Sequence, residues 1–135
     1  MTDIKGIDHI AIVVEDLEEA LKFWRDRLGL ALDHIETVSS QGVKIAFLPV
    51  GNSEVELIQP LDDKSGVAKY LRKKGPGMHH LCFEVEDIQE RLRDLESQGV
   101  RLIDQEPHVM DDGRKLAFLH PKSASGVLIE LYELP

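Results

Sequence analysis

Apolar and polar positions alternate along the chain, break, and then alternate again in the same order. Asp8-His9-Ile10-Ala11-Ile12-Val13-Val14 reads as a strand, with Ile10, Ile12 and Val14 on one face and His9, Ala11 and Val13 on the other. Asp16 follows as a helix N-cap, with Glu19 three residues on at capping-box spacing. Leu17, Ala20, Leu21, Trp24 and Leu28 keep helical spacing, which predicts an amphipathic helix closed by Gly29. The runs Leu32 to Ser39, Val43 to Val50 and Glu54 to Ile58 are broken by Ser39-Ser40-Gln41-Gly42 and Gly51-Asn52-Ser53. They predict three strands joined by turns, so the first half is βαβββ.

The second half repeats the first. Gly6-Ile7-Asp8-His9-Ile10 recurs as Gly77-Met78-His79-His80-Leu81, at an offset of 71 residues. Val14-Glu15-Asp16-Leu17 recurs as Val85-Glu86-Asp87-Ile88, and Lys44-Ile45-Ala46-Phe47-Leu48 as Lys115-Leu116-Ala117-Phe118-Leu119, at the same offset. His79, Leu81, Phe83 and Val85 form the helix-facing side of the strand, leaving His80, Cys82 and Glu84 opposite. Asp87 and Glu90 repeat the capping pair, Ile88, Leu92 and Leu95 the apolar stripe, and Gly99 the stop. Val100 to Asp104, Lys115 to His120 and Gly126 to Tyr132 supply the remaining strands. Between the halves, Ser65 to Lys74 reads as a short helix capped by Ser65 and stopped at Gly75-Pro76-Gly77. The expected class is α+β: one domain, 1–135, made of two βαβββ modules at about 6–60 and 77–133, joined by the helical segment 65–75.

Composition narrows the function classes. The chain has 135 residues, 42% of them hydrophobic, enough for a core, while a half of this size alone is marginal. No apolar run is long enough to span a membrane. Met1-Thr2-Asp3 leads straight into the first strand, so no signal peptide is expected. The single cysteine, Cys82, excludes an internal disulfide framework and fits a reducing, cytoplasmic setting. A net charge of −9 argues against nucleic acid as a partner, so any anion has to be held by a local basic cluster. Lys69, Arg72, Lys73 and Lys74 form a candidate cluster that reads first as a solvated helix face and second as an anion contact, and Lys122-Ser123 after His120-Pro121 is a second candidate phosphate contact.

The repeat also matches chemistry to chemistry. His9 and His80 point away from their helices. Val55 and Leu57 face the helix, so Glu56 does not, and Ile129 and Leu131 place Glu130 the same way. A module that pairs with its own copy brings two imidazoles and two carboxylates to one centre. A His2Glu2 donor set suits a borderline divalent ion such as cobalt, zinc, nickel or manganese. Cys82 and Glu84 share the face of His80, the first read as a small buried thiol and the second as a rim residue. His34, His79, His108 and His120 lack a symmetric partner and read as structural or exposed.

These residues resemble the vicinal oxygen chelate superfamily, whose fold pairs βαβββ modules in a curved mixed sheet around a metal. Within it the chain is similar to the methylmalonyl-CoA epimerases from Ile7 to Leu131. The resemblance is carried by Gly77-Met78-His79-His80-Leu81-Cys82-Phe83-Glu84-Val85, by Pro60-Leu61 with Ser65 and Val67-Ala68-Lys69-Tyr70-Leu71, and by His120-Pro121-Lys122-Ser123 with Gly126-Val127-Leu128-Ile129-Glu130-Leu131. It implies His9, Glu56, His80 and Glu130 as metal ligands, cobalt as the favoured ion, and a homodimer. The implied reaction is epimerisation of (R)- and (S)-methylmalonyl-CoA, with proton removal and return at C2 through a metal-stabilised enolate. Glu130 is then one acid–base group, and Glu56 or a metal-bound water the other. Lys122 and Ser123 are assigned to the CoA. Some members carry a further glutamate in the strand where this chain reads Val43-Lys44-Ile45-Ala46, which has no acid. A glyoxalase I-type lactoylglutathione lyase is the alternative, since it uses the same ligand set, but its ending motif differs. A three-ligand transferase leaves Glu56 unexplained, and a drug-binding protein leaves all four ligands without a role.

Overall fold

The computed structural model describes residues 4–135, and Met1-Thr2-Asp3 lie outside the described residues. The chain divides into two compact units, His9–His79 on one side and His80–Pro135 with residues 4–8 on the other. No described helix is long and apolar enough to cross a membrane.

The first unit contains the second half of β1 (Ile4–Val13), then α1 (Leu17–Leu21), β2 (His34–Val38), β3 (Val43–Val50), β4 (Ser53–Pro60) and α2 (Gly66–Lys74). Its strands neighbour one another in the order β2-β3-β4-β1, with β1 and β4 parallel and the other pairs antiparallel. The second unit holds most of β5 (Gly77–Val85), α3 (Ile88–Ser97), β6 (His108–Val109), β7 (Lys115–Leu119) and β8 (Ile129–Glu133). Its order, β6-β7-β8-β5, repeats the first, with β5 and β8 parallel.

Each unit builds its own core between helix and strands. Leu17 and Leu21 of α1 pack with Val14, Ala46, Leu48 and Leu57, flanked by Ile12 and Val55. In the second unit Ile88 and Leu92 of α3 pack with Val85, Ala117, Leu119 and Leu131, flanked by Phe83 and Ile129. The alternation expected from sequence therefore holds in both units: the apolar neighbours of each glutamate turn to the helix. The opposite face of the first unit is closed by a smaller cluster of Ala11, Val43 and Ile58 under Val67 of α2.

Both helix starts are capped twice. Asp16 Oδ1 accepts from the Glu19 amide at 3.0 Å, and Gln59 Oε1 from β4 accepts from the Leu17 amide at 2.7 Å. Asp87 Oδ1 accepts from the Glu90 amide at 3.1 Å, and Glu133 Oε1 from β8 accepts from the Ile88 amide at 2.8 Å. The first of each pair was legible in sequence. The second depends on the last strand lying beside the helix start, so it is tertiary. Glu19 does not close the expected capping box, because its carboxylate accepts from Lys22 Nζ at 2.8 Å instead.

Three expectations are corrected. The first helix does not stay α-helical to Leu28: after Leu21 it widens into a π-turn over Lys22–Arg27, with the Leu28 amide donating to Phe23 O at 2.8 Å. The wider ring rotates Leu28 out of the apolar stripe, leaving it 54% exposed, and Leu30 and Leu32 pack on the core in its place. Val100 to Asp104 is no strand. Only Leu102 bridges to Leu119, while Asp104 Oδ2 accepts from the Phe118 amide at 2.8 Å, a side-chain bond that replaces a ladder bond. The two-residue β6 follows Pro107 instead. Gly126 to Leu128 are likewise not part of the last strand, because the Gly126 and Val127 amides close the turn onto Pro121 and Ala124.

The double cap gives a paired test. Gln59→Ala should lose about 1 kcal/mol of unfolding free energy in denaturant titration, the usual cost of a removed N-terminal cap. Gln59→Glu, which keeps the acceptor and adds charge at a helix N-terminus, should match or exceed the wild type. Equal losses in the two variants would mean that packing, not the hydrogen bond to Leu17, holds this helix start.

Candidate active site

Parallel pairing within each unit delivers an acid to a histidine. In the first unit Ala11 of β1 is the register partner of Glu56 in β4. His9 lies two residues before Ala11, so it shares the face that Glu56 occupies. In the second unit Cys82 of β5 is the register partner of Glu130 in β8, and His80 again lies two residues earlier. The local outcome is the same twice. His9 Nδ1 stands 3.3 Å from Glu56 Oε2, and His80 Nε2 stands 3.0 Å from Glu130 Oε1.

Both pairs are removed from water. His9, His80 and Glu130 are 6%, 8% and 6% exposed, and the Glu56 side chain 13%. They lie on strands whose other side chains are largely apolar, and an imidazole and a carboxylate at such positions are costly unless something partners them. The four residues expected as ligands are thus held in two buried histidine–glutamate pairs, one per unit.

A phenylalanine accompanies each acid. Phe118 of β7 is the register partner of Glu130, and its ring meets the His80 imidazole edge to face at 5.6 Å. Phe47 of β3 is the partner of Glu56, but its ring stacks on His34 at 4.4 Å. The duplicated Lys-Ile-Ala-Phe-Leu and Lys-Leu-Ala-Phe-Leu runs carry both rings in sequence, yet only the register shows that they stand beside the acids.

The other candidates have different surroundings. Cys82 is buried. His34 Nδ1 lies 2.6 Å from Asp33 Oδ2, and His108 Nε2 lies 2.9 Å from Asp104 Oδ1. The His79 ring meets Tyr70 edge-on at 4.8 Å. His120 Nδ1 accepts from the Lys122 amide at 3.0 Å, capping the 3-10 turn Pro121–Ser123. Ser123 Oγ accepts from the Arg101 amide at 2.9 Å, so its hydroxyl braces the turn, while Lys122 is exposed. In the α2 cluster Lys69 and Lys73 are exposed, Arg72 Nη1 donates to Asp63 O at 2.8 Å, and Lys74 Nζ lies 6.0 Å from the Tyr70 ring centroid.

Sequence reading passed over Arg114 and Tyr132. Tyr132 lies two residues past Glu130 on the same face and accepts from Arg114 Nη1 at 3.3 Å. Burial pushes the phenol above its ordinary value even though Arg114 donates to it. Asp112, 2.6 Å from Arg114 Nε, is held below the usual carboxylate range by that guanidinium.

Comparison with known proteins places this architecture. Residues 8–118 match the Glyoxalase/Bleomycin resistance protein/Dioxygenase superfamily. The mitochondrial methylmalonyl-CoA epimerase of Mus musculus is 38% identical over 126 residues, covering 93% of this chain and 71% of that protein. Methylmalonyl-CoA epimerase from Mycobacterium tuberculosis has a structure that aligns with a TM-score of 0.86 at 40% identity, over 98% of this chain and 89% of its own. A methylmalonyl-CoA epimerase solved in complex with methylmalonyl-CoA and NH4+ aligns with a TM-score of 0.86 at 36% identity, over 97% and 95%. The α+β vicinal oxygen chelate fold expected from the resemblance is borne out. With paired βαβββ units and near end-to-end identity at this level, the chain belongs to the methylmalonyl-CoA epimerase family of isomerases within the glyoxalase superfamily.

Proposed function

We propose that this protein is a divalent-metal-dependent epimerase that interconverts (R)- and (S)-methylmalonyl-CoA. The observation that carries the reading is the buried histidine–glutamate pair made twice by the same strand register. The donors fit a metal. Within each pair a ring nitrogen and a carboxylate oxygen are 3.0–3.3 Å apart, a spacing open to two ligands that each sit about 2.0–2.2 Å from one ion. His9, Glu56, His80 and Glu130 would hold that ion, with cobalt the first choice and zinc, manganese and nickel compatible with the same donors. When bound, the ion supplies Lewis-acid stabilisation of the charge that develops on the thioester oxygen.

The chain's own residues supply the proton traffic. The carbon to be inverted lies between a thioester carbonyl and a carboxylate, so its proton is already acidified, and inversion needs removal on one face and return on the other. Glu130 is the acid–base group on one side. Its carboxylate is oriented by His80, and Phe118 stands over the imidazole and covers it from that direction. Glu56, oriented by His9, is the counterpart on the other side. Burial beside its histidine limits each carboxylate to few orientations, so that proton transfer does not wait on a rotamer search. The exposed Lys122 and the turn braced by Ser123 are assigned to the CoA, with the Lys69 to Lys74 cluster as a second phosphate contact. A homodimer and a cytoplasmic site of action complete the reading. The first rests on the family and the second on a sequence whose one cysteine allows no internal disulfide framework.

The decisive measurement is solvent-deuterium incorporation at C2 of methylmalonyl-CoA, by NMR or mass spectrometry, with cobalt-loaded and chelator-treated protein. Exchange that requires metal and produces the other epimer is expected. Absence of exchange with cobalt, zinc, manganese and nickel alike would retire the reading, and turnover of the hemithioacetal of glutathione and methylglyoxal would replace it with the lyase.

Two variants test the residues. His80→Ala should lose bound cobalt, measured by elemental analysis, together with exchange, and full turnover by a metal-free His80→Ala protein would sink the ligand assignment. Glu130→Gln keeps a ligating oxygen but not the base. It should slow exchange by about 10²-fold or more while leaving substrate affinity within about threefold. Parallel losses of both would make Glu130 a binding residue.

A further inference from the structure

On the face that carries the glutamates the two units share their histidine, glutamate and phenylalanine positions but diverge in the row beyond. In the first unit the row beyond Glu56 is Val13, Ile58 and Ile45, register partners across β1, β4 and β3. Val13 and Ile58 are buried, and Ile58 belongs to the cluster with Ala11 and Val43 under Val67 of α2. In the second unit the same row is Glu84, Tyr132 and Leu116, and the counterpart of Val43 is Arg114. A buried apolar cluster in one copy has become an acid, a phenol and a guanidinium in the other, all three half-buried. Polar groups at positions that the other copy keeps apolar are costly wherever they lack a hydrogen-bond partner or water.

Their hydrogen-bonding capacity is specific. Tyr132 already accepts from Arg114 Nη1, and the guanidinium lies 5.9 Å from the ring centroid, so the phenol oxygen is fixed and its own O–H is left to donate. Glu84 makes no hydrogen bond or ion pair among the described residues, so its oxygens are left to accept. Charge excludes one ligand class. Arg114 is offset by Asp112 at 2.6 Å, and Glu84 adds a further negative charge, so the wall does not favour an anion. It suits a neutral group with one donor and one acceptor, which is the description of a secondary amide: N–H to the Glu84 carboxylate, C=O from the Tyr132 hydroxyl.

We propose that Glu84 and Tyr132, the latter oriented by Arg114, bind a secondary amide in the arm of the thioester substrate, between its sulfur and its phosphates. This rests on the epimerase reading and deepens it, because a CoA thioester carries such amides. The wall therefore contributes to affinity for the carrier and not to the chemistry at C2.

The test splits KM from kcat with two substrates, methylmalonyl-CoA and a short methylmalonyl alkyl thioester that has no amide. Tyr132→Phe and Glu84→Leu, which remove the donor and the acceptor respectively, should each raise KM for the CoA ester about five- to tenfold, the worth of one hydrogen bond, with kcat within about twofold. With the short thioester, variants and wild type should have the same kinetics. Arg114→Met should mimic Tyr132→Phe on the CoA ester and add little to it in the double variant. Equal changes on both substrates, or no change on either, would overturn the proposal. Calorimetric titration with pantetheine, which carries the amides but no reacting carbon, keeps the two readings apart. If the wild type fails to epimerise yet binds pantetheine more tightly than Tyr132→Phe and Glu84→Leu, the amide wall stands and the epimerase reading falls. If all three bind pantetheine equally, the wall falls whatever the turnover.

Discussion

Everything chemical in this molecule depends on one register, the parallel pairing of the first strand of each unit with its last. β1 pairs with β4 so that Ala11 meets Glu56, and β5 with β8 so that Cys82 meets Glu130. A one-residue slip in either pairing would turn the glutamate to the helix and its apolar neighbours to the opposite face. The register is defended by the cores. Val55 and Leu57 flank Glu56 and pack toward α1, while Ile129 and Leu131 flank Glu130 and pack toward α3. Burial of those flanking side chains is what holds each acid beside its histidine.

The same register ties the helix to the site. Gln59 and Glu133, three residues beyond the respective glutamates, accept from the first amides of α1 and α3. One strand thus presents an acid on one face and a helix cap on the other. A strand displaced along its axis would lose the cap and the histidine–glutamate contact together, so fold stability and site geometry are coupled through β4 and β8. This coupling explains why both copies retain the device, although the capping residue is an amide in one and a carboxylate in the other.

Duplication accounts for the pairs, and the units diverge in the row beside them. The His-Glu pairs are kept in both units, whereas the adjoining row is apolar and closed in one and polar in the other. The row of Glu84, Tyr132 and Arg114 is one place where the molecule departs from its own repeat.

Short-range physics was readable in the chain itself. Period-two alternation placed β1, β3, β4 and β5, the Asp16 and Asp87 caps marked the helix starts, and matched parity selected His9, Glu56, His80 and Glu130 from six histidines and twenty-five acids. The tertiary structure decided whatever required knowing which strand lies beside which. It turned Leu28 outward through a π-turn, replaced the Val100 to Asp104 strand with a side-chain bond from Asp104, and tied up the Ser123 hydroxyl on Arg101. It also set Phe118 on His80 and Arg114 on Tyr132. The physical reason is common to all of these. Alternation and capping are properties of consecutive residues, whereas each of these contacts is fixed by the pairing of segments far apart in the chain, and no periodicity along the sequence encodes it.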